Sequence, residues 1–395
     1  MATLVSDLGD LALAEDCVAE AFAEAAARWG PDSTPDRPGA WLLTTARRKA
    51  IDRARRDRRF QDRLPALTAA AEREREPPSG LVDDQLALIF GCCHPSLALE
   101  AQVALTLREV CGLSTAQIAT AFVVPEPTMA KRLVRAKEKI RVAGVPFTVP
   151  ERDRFDDRLD AVLGVIYLIF TEGHTAASAS TLVRGDLCDE ARWLAGLLAV
   201  LLPDEPEALG LDALLCFTDA RRPARVDRDG RIVLLADQDR ARWDRSLVAE
   251  GSTRLRSALR IGRVGPYQLQ AAIAGAHMAA ERAEDTDWRA ILGLYDVLAM
   301  VEPTPVVALN RAVAVAMADG PAAGLALLDR LEADGDLDGF RYLHAARADL
   351  LRRLGRFPEA ADAYRRSLDL TENEAERDVL VARLSDLPPP DPPGG

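Results

Sequence analysis

The 395-residue sequence is poor in the features that mark secreted and membrane proteins. Its six cysteines are too dilute for a disulfide scaffold. Its apolar stretches, such as residues 162–170, are far shorter than the roughly 20 residues that a membrane-spanning helix needs. The first residues carry acids instead of the basic region of a secretory signal. These absences predict a cytoplasmic protein with no membrane contact.

Strand patterns are also scarce, because period-two alternation of apolar residues is confined to residues 231–236. Elsewhere apolar residues recur every three or four positions, as Leu159, Val162, Leu163 and Ile166 do, which is typical of helices. The predicted fold class is therefore mainly α.

Charge is distributed unevenly along the chain. Residues 1–145 carry 20 basic and 20 acidic residues, so the whole net charge of −12 lies in residues 146–395. Within the neutral part, residues 41–60 have a net charge of +6 and residues 126–141 a net charge of +4. Two local basic stripes on a neutral background favour binding to nucleic acid.

The second stripe lies in a helix-turn-helix pattern. Ser114 is a suitable N-cap for a short helix, Val124-Pro125 predicts a tight turn, and Pro127 suits the first turn of a second helix. We expect the second helix to bury Met129, Leu133, Val134 and Ala136. The residues expected to project outward, toward a major groove, are Thr128, Lys131, Arg132 and Arg135.

The first stripe follows Trp41 in a helix with one apolar side and one side that is almost entirely guanidinium. Arginine clusters bind phosphates, and a neighbouring aromatic ring or pocket can hold an unstacked base. The candidate DNA-binding residues here are Trp41, Arg47, Arg48, Arg53, Arg55 and Arg56.

With these motifs in this order, residues 10–141 resemble an extracytoplasmic-function (ECF) sigma factor of the sigma-70 family, which has a region 2, a short linker and a region 4. The matching motifs are Ala14–Phe22, Ala40–Arg56 and Gly112–Lys137. The rest of the chain resembles a subgroup with a long C-terminal extension that ends in tetratricopeptide-like (TPR-like) helix pairs. Its signatures are Cys92–Pro95, Asp237–Asp244, Gly265–Gln270 and Leu309–Val313.

Spacing within the extension agrees with that resemblance. Gly320 and Gly355, each between two helical patterns, are 35 residues apart, against a tetratricopeptide repeat of about 34. The expected domains are region 2 (1–60), a linker (61–80), region 4 (81–145), a helical extension (146–271), TPR-like repeats (272–387) and a disordered tail (388–395).

The resemblance implies a function without catalysis or cofactor. Such a factor binds core RNA polymerase through acids that match Glu15, Asp16 and Glu20. It then directs the enzyme to promoter DNA, with the first basic stripe on the −10 element and the second on the −35 element, and promotes initiation. The extension would regulate activity through contacts with the chain's own sigma domains or with another protein.

Three positions depart from the family pattern. Ala19 stands where the family usually has glutamine, and Ala130 and Lys131 stand where a basic residue and a serine are more frequent. The promoter sequence is therefore not implied. Region 2 also begins about one helical turn later than usual, so its first helix is expected to be short.

Two other classes of protein remain open from the residues alone. One is a helix-turn-helix regulator that binds operator DNA without acting as a sigma subunit. The other is an enzyme with its site in residues 150–270, although Glu172 and His174 lack a nucleophile there. Cys92-Cys93-His94 could supply zinc ligands, but no second pair of ligands follows at a suitable distance. These residues are therefore expected to pack in the protein interior. The run Asp237–Asp244 is expected to form a loop network.

Overall fold

The computed structural model describes residues 1–30, 34–56, 81–122, 124–174, 184–229 and 231–388. These residues are mostly helical, and among them β pairing is confined to an isolated antiparallel bridge between Val226 and Ile232. The prediction of a mainly α fold is confirmed. The expected linker 61–80 and all but the first residue of the expected tail lie outside the described residues.

The chain forms two compact units, Met1–Leu168 and Ile169–Gly395. The helices that begin in the first unit are α1 (Ala2–Leu8), α2 (Leu11–Arg28), α3 (Pro38–Arg56), α4 (Leu81–Cys92), α5 (Leu99–Glu109), α6 (Thr115–Ala121), α7 (Glu126–Ala143) and α8 (Arg152–His174).

The short helix α1 ties the first unit together. Its residues Leu4, Val5 and Leu8 are completely buried, and it packs against α4 as well as against α2 and α3. Gly9, with a φ of +60°, ends this helix in the left-handed conformation that glycine adopts without strain. The carboxylate of Asp10 then caps α2 by accepting a hydrogen bond from the backbone N–H of Leu13 at 2.9 Å.

The helices of the second unit are α9 (Gly185–Leu201), α10 (Pro206–Asp219), α11 (Arg245–Ile261), α12 (Pro266–Ala279), α13 (Trp288–Val301), α14 (Pro305–Ala318), α15 (Pro321–Asp334), α16 (Arg341–Arg353), α17 (Phe357–Asp369) and α18 (Glu374–Ser385). Consecutive helices from α12 onward pack as neighbours in chain order.

Small residues set the closest of these helix crossings. Gly324 of α15 faces α14 so closely that a β-carbon there would lie 2.4 Å from the side chain of Ala316. Leu343, Leu351 and Tyr364 fill the core between α16 and α17. The turn between those two helices includes Gly355, with a φ of +74°.

The run Asp237–Asp244 forms the loop network expected of it. The indole N–H of the buried Trp243 donates to Gln238 Oε1 at 3.3 Å, and Arg240 lies 4.8 Å from the Trp243 ring centroid. Arg240 also donates to the carbonyl oxygens of His277 and Ala280, each at 2.8 Å. The loop therefore joins the end of α12 to the segment before α11.

Among the described residues, no helix is both long enough and apolar enough to cross a membrane.

Candidate nucleic-acid interface

The helix-turn-helix begins at a capping box. Ser114 Oγ accepts a hydrogen bond from the backbone N–H of Gln117 at 3.2 Å, and the Gln117 side chain accepts one from the N–H of Ser114 at 2.8 Å. Helix α6 ends at Ala121, with Phe122 as its C-cap, and α7 starts after Pro125 with a second proline in its first turn. The predicted N-cap at Ser114 and the proline in the first turn of α7 are confirmed.

Helix α7 has one buried face and one exposed face. Met129, Leu133, Ala136 and Ile140 are buried, while Thr128, Lys131 and Arg135 are exposed. Arg132 is half-buried because its guanidinium carbon lies 5.5 Å from the Phe122 ring centroid.

One prediction about the core of α7 was wrong. Val134 has 67% of its surface exposed, since it falls between the buried rows of the helix.

The cations of α7 differ in their availability. Lys137 is held by acids, as described below, and Arg141 Nε donates to Glu138 Oε2 at 2.8 Å. Among the described residues, no ion pair involves Lys131, Arg135 or Lys139. The free positive charge therefore lies mainly on the first three turns of the helix, where helices that enter a major groove contact bases.

The first basic stripe, on α3, contains both free and paired cations. Arg48 and Arg55 are exposed, and the latter has only a weak contact of 4.0 Å with Asp52. Trp41, at the start of α3, is half-buried and meets Trp29 edge-on, with ring centroids 5.2 Å apart. The side chain of Arg56 lies outside the described residues.

The remaining cations of α3 face carboxylates of α1 and α2. Arg47 is buried and donates from Nε to Asp7 Oδ2 at 2.9 Å. Arg53 donates to Asp16 Oδ2 at 2.9 Å and also pairs with Glu20. Lys49 Nζ lies 3.0 Å from an oxygen of Glu24 and 3.7 Å from one of Glu20. Two of the three acids expected to bind polymerase therefore pair within region 2.

Glu15, the third of those acids, points the other way, toward α5 and α7. Its Oε1 accepts hydrogen bonds from Arg108 Nη2 at 2.9 Å and Nε at 3.2 Å, and its Oε2 accepts one from Lys137 Nζ. Lys137 Nζ also lies 2.8 Å from Oε1 of the buried Glu109, as an ion pair without hydrogen-bond geometry. We call Glu15, Arg108, Glu109 and Lys137 the interdomain cluster.

The interdomain cluster was not predicted from the sequence. Its members are separated by up to 122 positions, and side-chain pairing over that distance leaves no periodic pattern. The available signal was Arg108-Glu109, two charges at the end of a helix, directly after six residues that are all buried. Buried charges usually have a partner of opposite sign, so these two indicated an ion pair without naming its members.

The other motif residues lie in the protein interior. Cys92 and Cys93 are almost fully buried, and burial raises the pKa of both thiols. His174, the last residue of α8, stacks on Phe170 with ring centroids 5.2 Å apart. Burial, reinforced by nearby arginines that include Arg225, lowers the pKa of His174 to about 2. These positions agree with packing roles.

Comparisons with known proteins match this architecture. Residues 2–60 match sigma-70 region 2, residues 87–140 match sigma-70 region 4, and residues 158–259 match DUF6596, a family of unknown function. An uncharacterized protein of Rhizobium meliloti (strain 1021) is 43% identical over 396 residues, which cover 98% of this chain and 93% of that protein.

A region 2 domain followed by a helix-turn-helix region 4 defines a transcription initiation factor that binds RNA polymerase and promoter DNA. The chain belongs to the sigma-70 family.

Proposed function

We propose that this chain is an ECF-type sigma factor, which brings core RNA polymerase to −35 and −10 promoter elements and whose C-terminal extension regulates it through protein contacts. The observation that carries this proposal is the exposed face of α7, where Thr128, Lys131, Arg132 and Arg135 follow one another at helical spacing with few internal partners. This face would read the −35 element in the major groove.

The −10 element would bind at α3. Arg48 and Arg55 are exposed and suit phosphate contacts, and Trp41, at the start of the same helix, offers a ring on which an unstacked base can pack. Arg47 and Arg53 would reach DNA only after their pairs with Asp7, Asp16 and Glu20 break. Arg56 completes the proposed set from its place at the end of α3.

The acids of α2 would dock on core polymerase. Asp16 and Glu20 are exposed at the helix surface, although both contact Arg53, and such surface pairs are weak enough for a basic partner to replace them. Glu15 is less accessible because α5 and α7 cover it.

The extension is proposed as an interaction module built from TPR-like helix pairs. A cavity of about 340 Å³ opens between α16, α17, α18 and the residues Arg225, Ile232 and Leu234. Aliphatic side chains such as Val379 line it together with Arg225, Arg341, Tyr342 and Glu376. Cavities of this size with a few converging polar groups are typical binding sites.

Run-off transcription with purified core polymerase tests the main proposal. The full chain should direct initiation from a promoter that core polymerase alone does not use. The alternative hypothesis is a helix-turn-helix regulator with a TPR sensory domain. Such a regulator would bind duplex DNA tightly by itself and would direct no initiation. Failure to bind core polymerase would contradict the proposal.

Replacing Tyr342 with alanine tests the extension. Tyr342 is 41% exposed at the cavity, so its loss should change a binding surface more than the core. We expect at least a twofold change in transcription yield with an unchanged melting temperature. An unchanged yield would remove the regulatory part of the proposal.

A further inference from the structure

The segment that follows α10 packs against the loop network before α11. The backbone N–H of Asp244 donates to the carbonyl oxygen of Ala220 at 2.9 Å, and the short 3₁₀ turns Arg222–Ala224 and Arg240–Arg242 are in contact. We call three arginines of these two segments the arginine cluster: Arg221, Arg225 and Arg240. Burial, followed by repulsion from the other two members, lowers the pKa of Arg221 to about 10, so the three guanidinium groups lie close enough to repel one another.

No acid neutralises the arginine cluster. Among the residues that the structure describes in the second unit, no carboxylate lies within ion-pair distance of its three guanidinium groups. The neighbouring Arg222, by contrast, lies 2.6 Å from an oxygen of Asp219 and 2.7 Å from one of Asp189. Buried charges in proteins are normally paired, so a group of partly buried arginines without a carboxylate is unusual and points to a role other than packing.

Neutral acceptors hold two members of the cluster but add no negative charge. Arg225 donates to the carbonyl oxygen of His174, and Arg240 donates to the two carbonyl oxygens at the end of α12. Arg221 donates no side-chain hydrogen bond to any described residue. The Nδ1 atoms of His174 and His277, whose pKa values the cluster lowers, are buried without a hydrogen-bond partner in the described part of the chain. The cluster therefore keeps its positive charge.

Arg225 extends this charge into the cavity between α16, α17 and α18, because it forms part of the cavity wall. Both acids of that wall are already bound: Glu376 lies 2.8 Å from Arg341, and Asp349 accepts a hydrogen bond of 2.6 Å from an arginine of its own helix. The remaining cation of the wall, Arg383, has only a contact of 3.9 Å with an acid outside the cavity. The cavity thus presents two arginines without a close acid.

Much of the cavity wall is apolar or aromatic. Its main residues of this kind are Ile232, Leu234, Tyr342, Tyr364, Val379 and Leu380. The hydroxyl of Tyr342 donates to Glu376 Oε1 at 2.8 Å, so this residue offers its ring to the cavity more than its polar end. A volume of about 340 Å³ with a few charged groups on an apolar wall is typical of a site for a small organic molecule.

We propose that this cavity binds a small organic anion, whose apolar body lies against the tyrosine rings and aliphatic side chains and whose carboxylate or phosphate group lies on Arg225. The ligand supplies the negative charge that the protein does not supply to the arginine cluster. Arg221 and Arg240 strengthen binding through their electrostatic field and do not touch the ligand. The inference names the kind of ligand for the cavity of the interaction module, and in that respect it rests on the proposed function.

Calorimetric titration of the full chain with three naphthalene probes tests the need for charge. The probes are 2-naphthyl phosphate, 2-naphthoate and the uncharged 2-naphthol, which share one apolar body and differ in the head group. Both anions should bind at least about tenfold more tightly than 2-naphthol, and the order of the two identifies the preferred head group. Equal binding of all three probes, or no binding of either anion, overturns the inference.

Two arginine variants separate ligand binding from folding. Arg225→Met should weaken binding of both anions at least about tenfold and leave binding of 2-naphthol within about twofold of wild type. Arg221→Met should weaken anion binding by a smaller factor. Because Arg221 has no acid partner and is repelled by its neighbours, this second variant should keep the melting temperature of the free chain or raise it. A lower melting temperature with unchanged anion affinity would make Arg221 structural and overturn the inference.

Tyr342→Ala tests the position of the ligand body. Its ring lines the cavity, so its loss should weaken binding of all three probes by a similar factor. Circular dichroism must show the same helix content in every variant. Unchanged affinities in both Tyr342→Ala and Arg225→Met would place the probes elsewhere on the chain and overturn the inference.

Arg231→Met is the matched control. Arg231 lies six residues after Arg225, outside the cavity wall, and its side chain is 73% exposed. The variant removes the same charge from the same segment and should change anion affinity by less than about twofold. An equal loss in Arg231→Met and Arg225→Met would mean that net charge attracts the probes, which contradicts a specific site.

These titrations use the chain alone, so their outcome is independent of transcription. Absence of anion binding overturns the inference and leaves the test with core polymerase as it stands. Failure to bind core polymerase refutes the proposed function, whereas anion binding that depends on Arg225 still establishes the kind of ligand that the cavity takes.

Discussion

Replacing Arg132 with alanine is the sharpest test of the proposed −35 contact. Arg132 lies in the second turn of α7, and its position 5.5 Å from the Phe122 ring centroid holds the guanidinium at the exposed face before DNA arrives. An arginine that contacts a guanine through two hydrogen bonds contributes about 1–3 kcal/mol of discrimination. At about 1.4 kcal/mol for each factor of ten, Arg132→Ala should weaken binding roughly 5- to 150-fold.

The assay compares complexes of core polymerase and the full chain on promoter duplexes. Each duplex carries one altered base pair in the −35 element, and the dissociation constant is measured at several salt concentrations. If Arg132 reads a base, the variant loses affinity for the native element and no longer distinguishes substitutions at one position. Lys139→Met is the control, since Lys139 lies two turns farther along α7 and should change affinity less than about threefold.

Salt dependence separates base reading from phosphate binding. If Arg132 contacts a phosphate, the variant weakens binding to all sequences equally, and the slope of log K against log salt falls by about 0.9. Affinity within twofold of wild type on every duplex would refute the placement of Arg132 at the DNA.

Further predictions concern stability, each measured by thermal and urea unfolding of the full chain. Ser114→Ala removes the N-cap of α6 and should lower the free energy of unfolding by about 1 kcal/mol. Gly324→Ala should lower the free energy of unfolding by about 1–3 kcal/mol, because its β-carbon would lie 2.4 Å from a side chain of α14. Gly293→Ala is the control in α13, because a β-carbon there would meet no atom within 4 Å; it should raise the free energy of unfolding by up to about 1 kcal/mol. A loss in both glycine variants would contradict the close crossing. Burial lowers the pKa of His174 to about 2 and that of His277 to about 4, so unfolding makes both bind protons once the pH is below about 6.5. As the pH is lowered below that value, the free energy of unfolding should therefore fall by about 1.4 kcal/mol per pH unit for each histidine, and the contribution of His277 should stop at about pH 4. The double variant His174→Asn/His277→Asn should show a smaller decline.

Local features of the fold could be predicted from the sequence because they depend on neighbouring residues. Ser114 caps α6, and the pair of prolines before Thr128 starts α7 where expected. The apolar period gave most of the buried face of α7 correctly. Val134 was predicted to be buried because it lies between the buried positions Leu133 and Ala136. Its apolar character alone does not show that it is exposed, since an exposed valine has the same side chain as a valine in the core.

Long-range partners could not be predicted in the same way. Sequence identifies Arg47 and Arg53 as cations, but only the packing of α3 against α1 and α2 brings Asp7 and Asp16 within 2.9 Å of them. Two of the arginines proposed on α3 therefore face acids of the same domain, which the sequence pattern does not reveal. The same reason hid the link between Glu15 and region 4.

The pairing of acids on α2 with cations on α3 also bears on how the proposed factor would work. If core polymerase binds Asp16 and Glu20, Arg53 loses both of its partners and becomes free for the DNA phosphates near α3. Since linkage is reciprocal, DNA bound to Arg53 would in turn favour polymerase binding to those acids by the same factor. A count of charges along the sequence treats the acids as opposing DNA binding, whereas in the proposed factor they would couple DNA binding to polymerase binding. Such coupling would let a region 2 with balanced charge bind promoter DNA and core polymerase together.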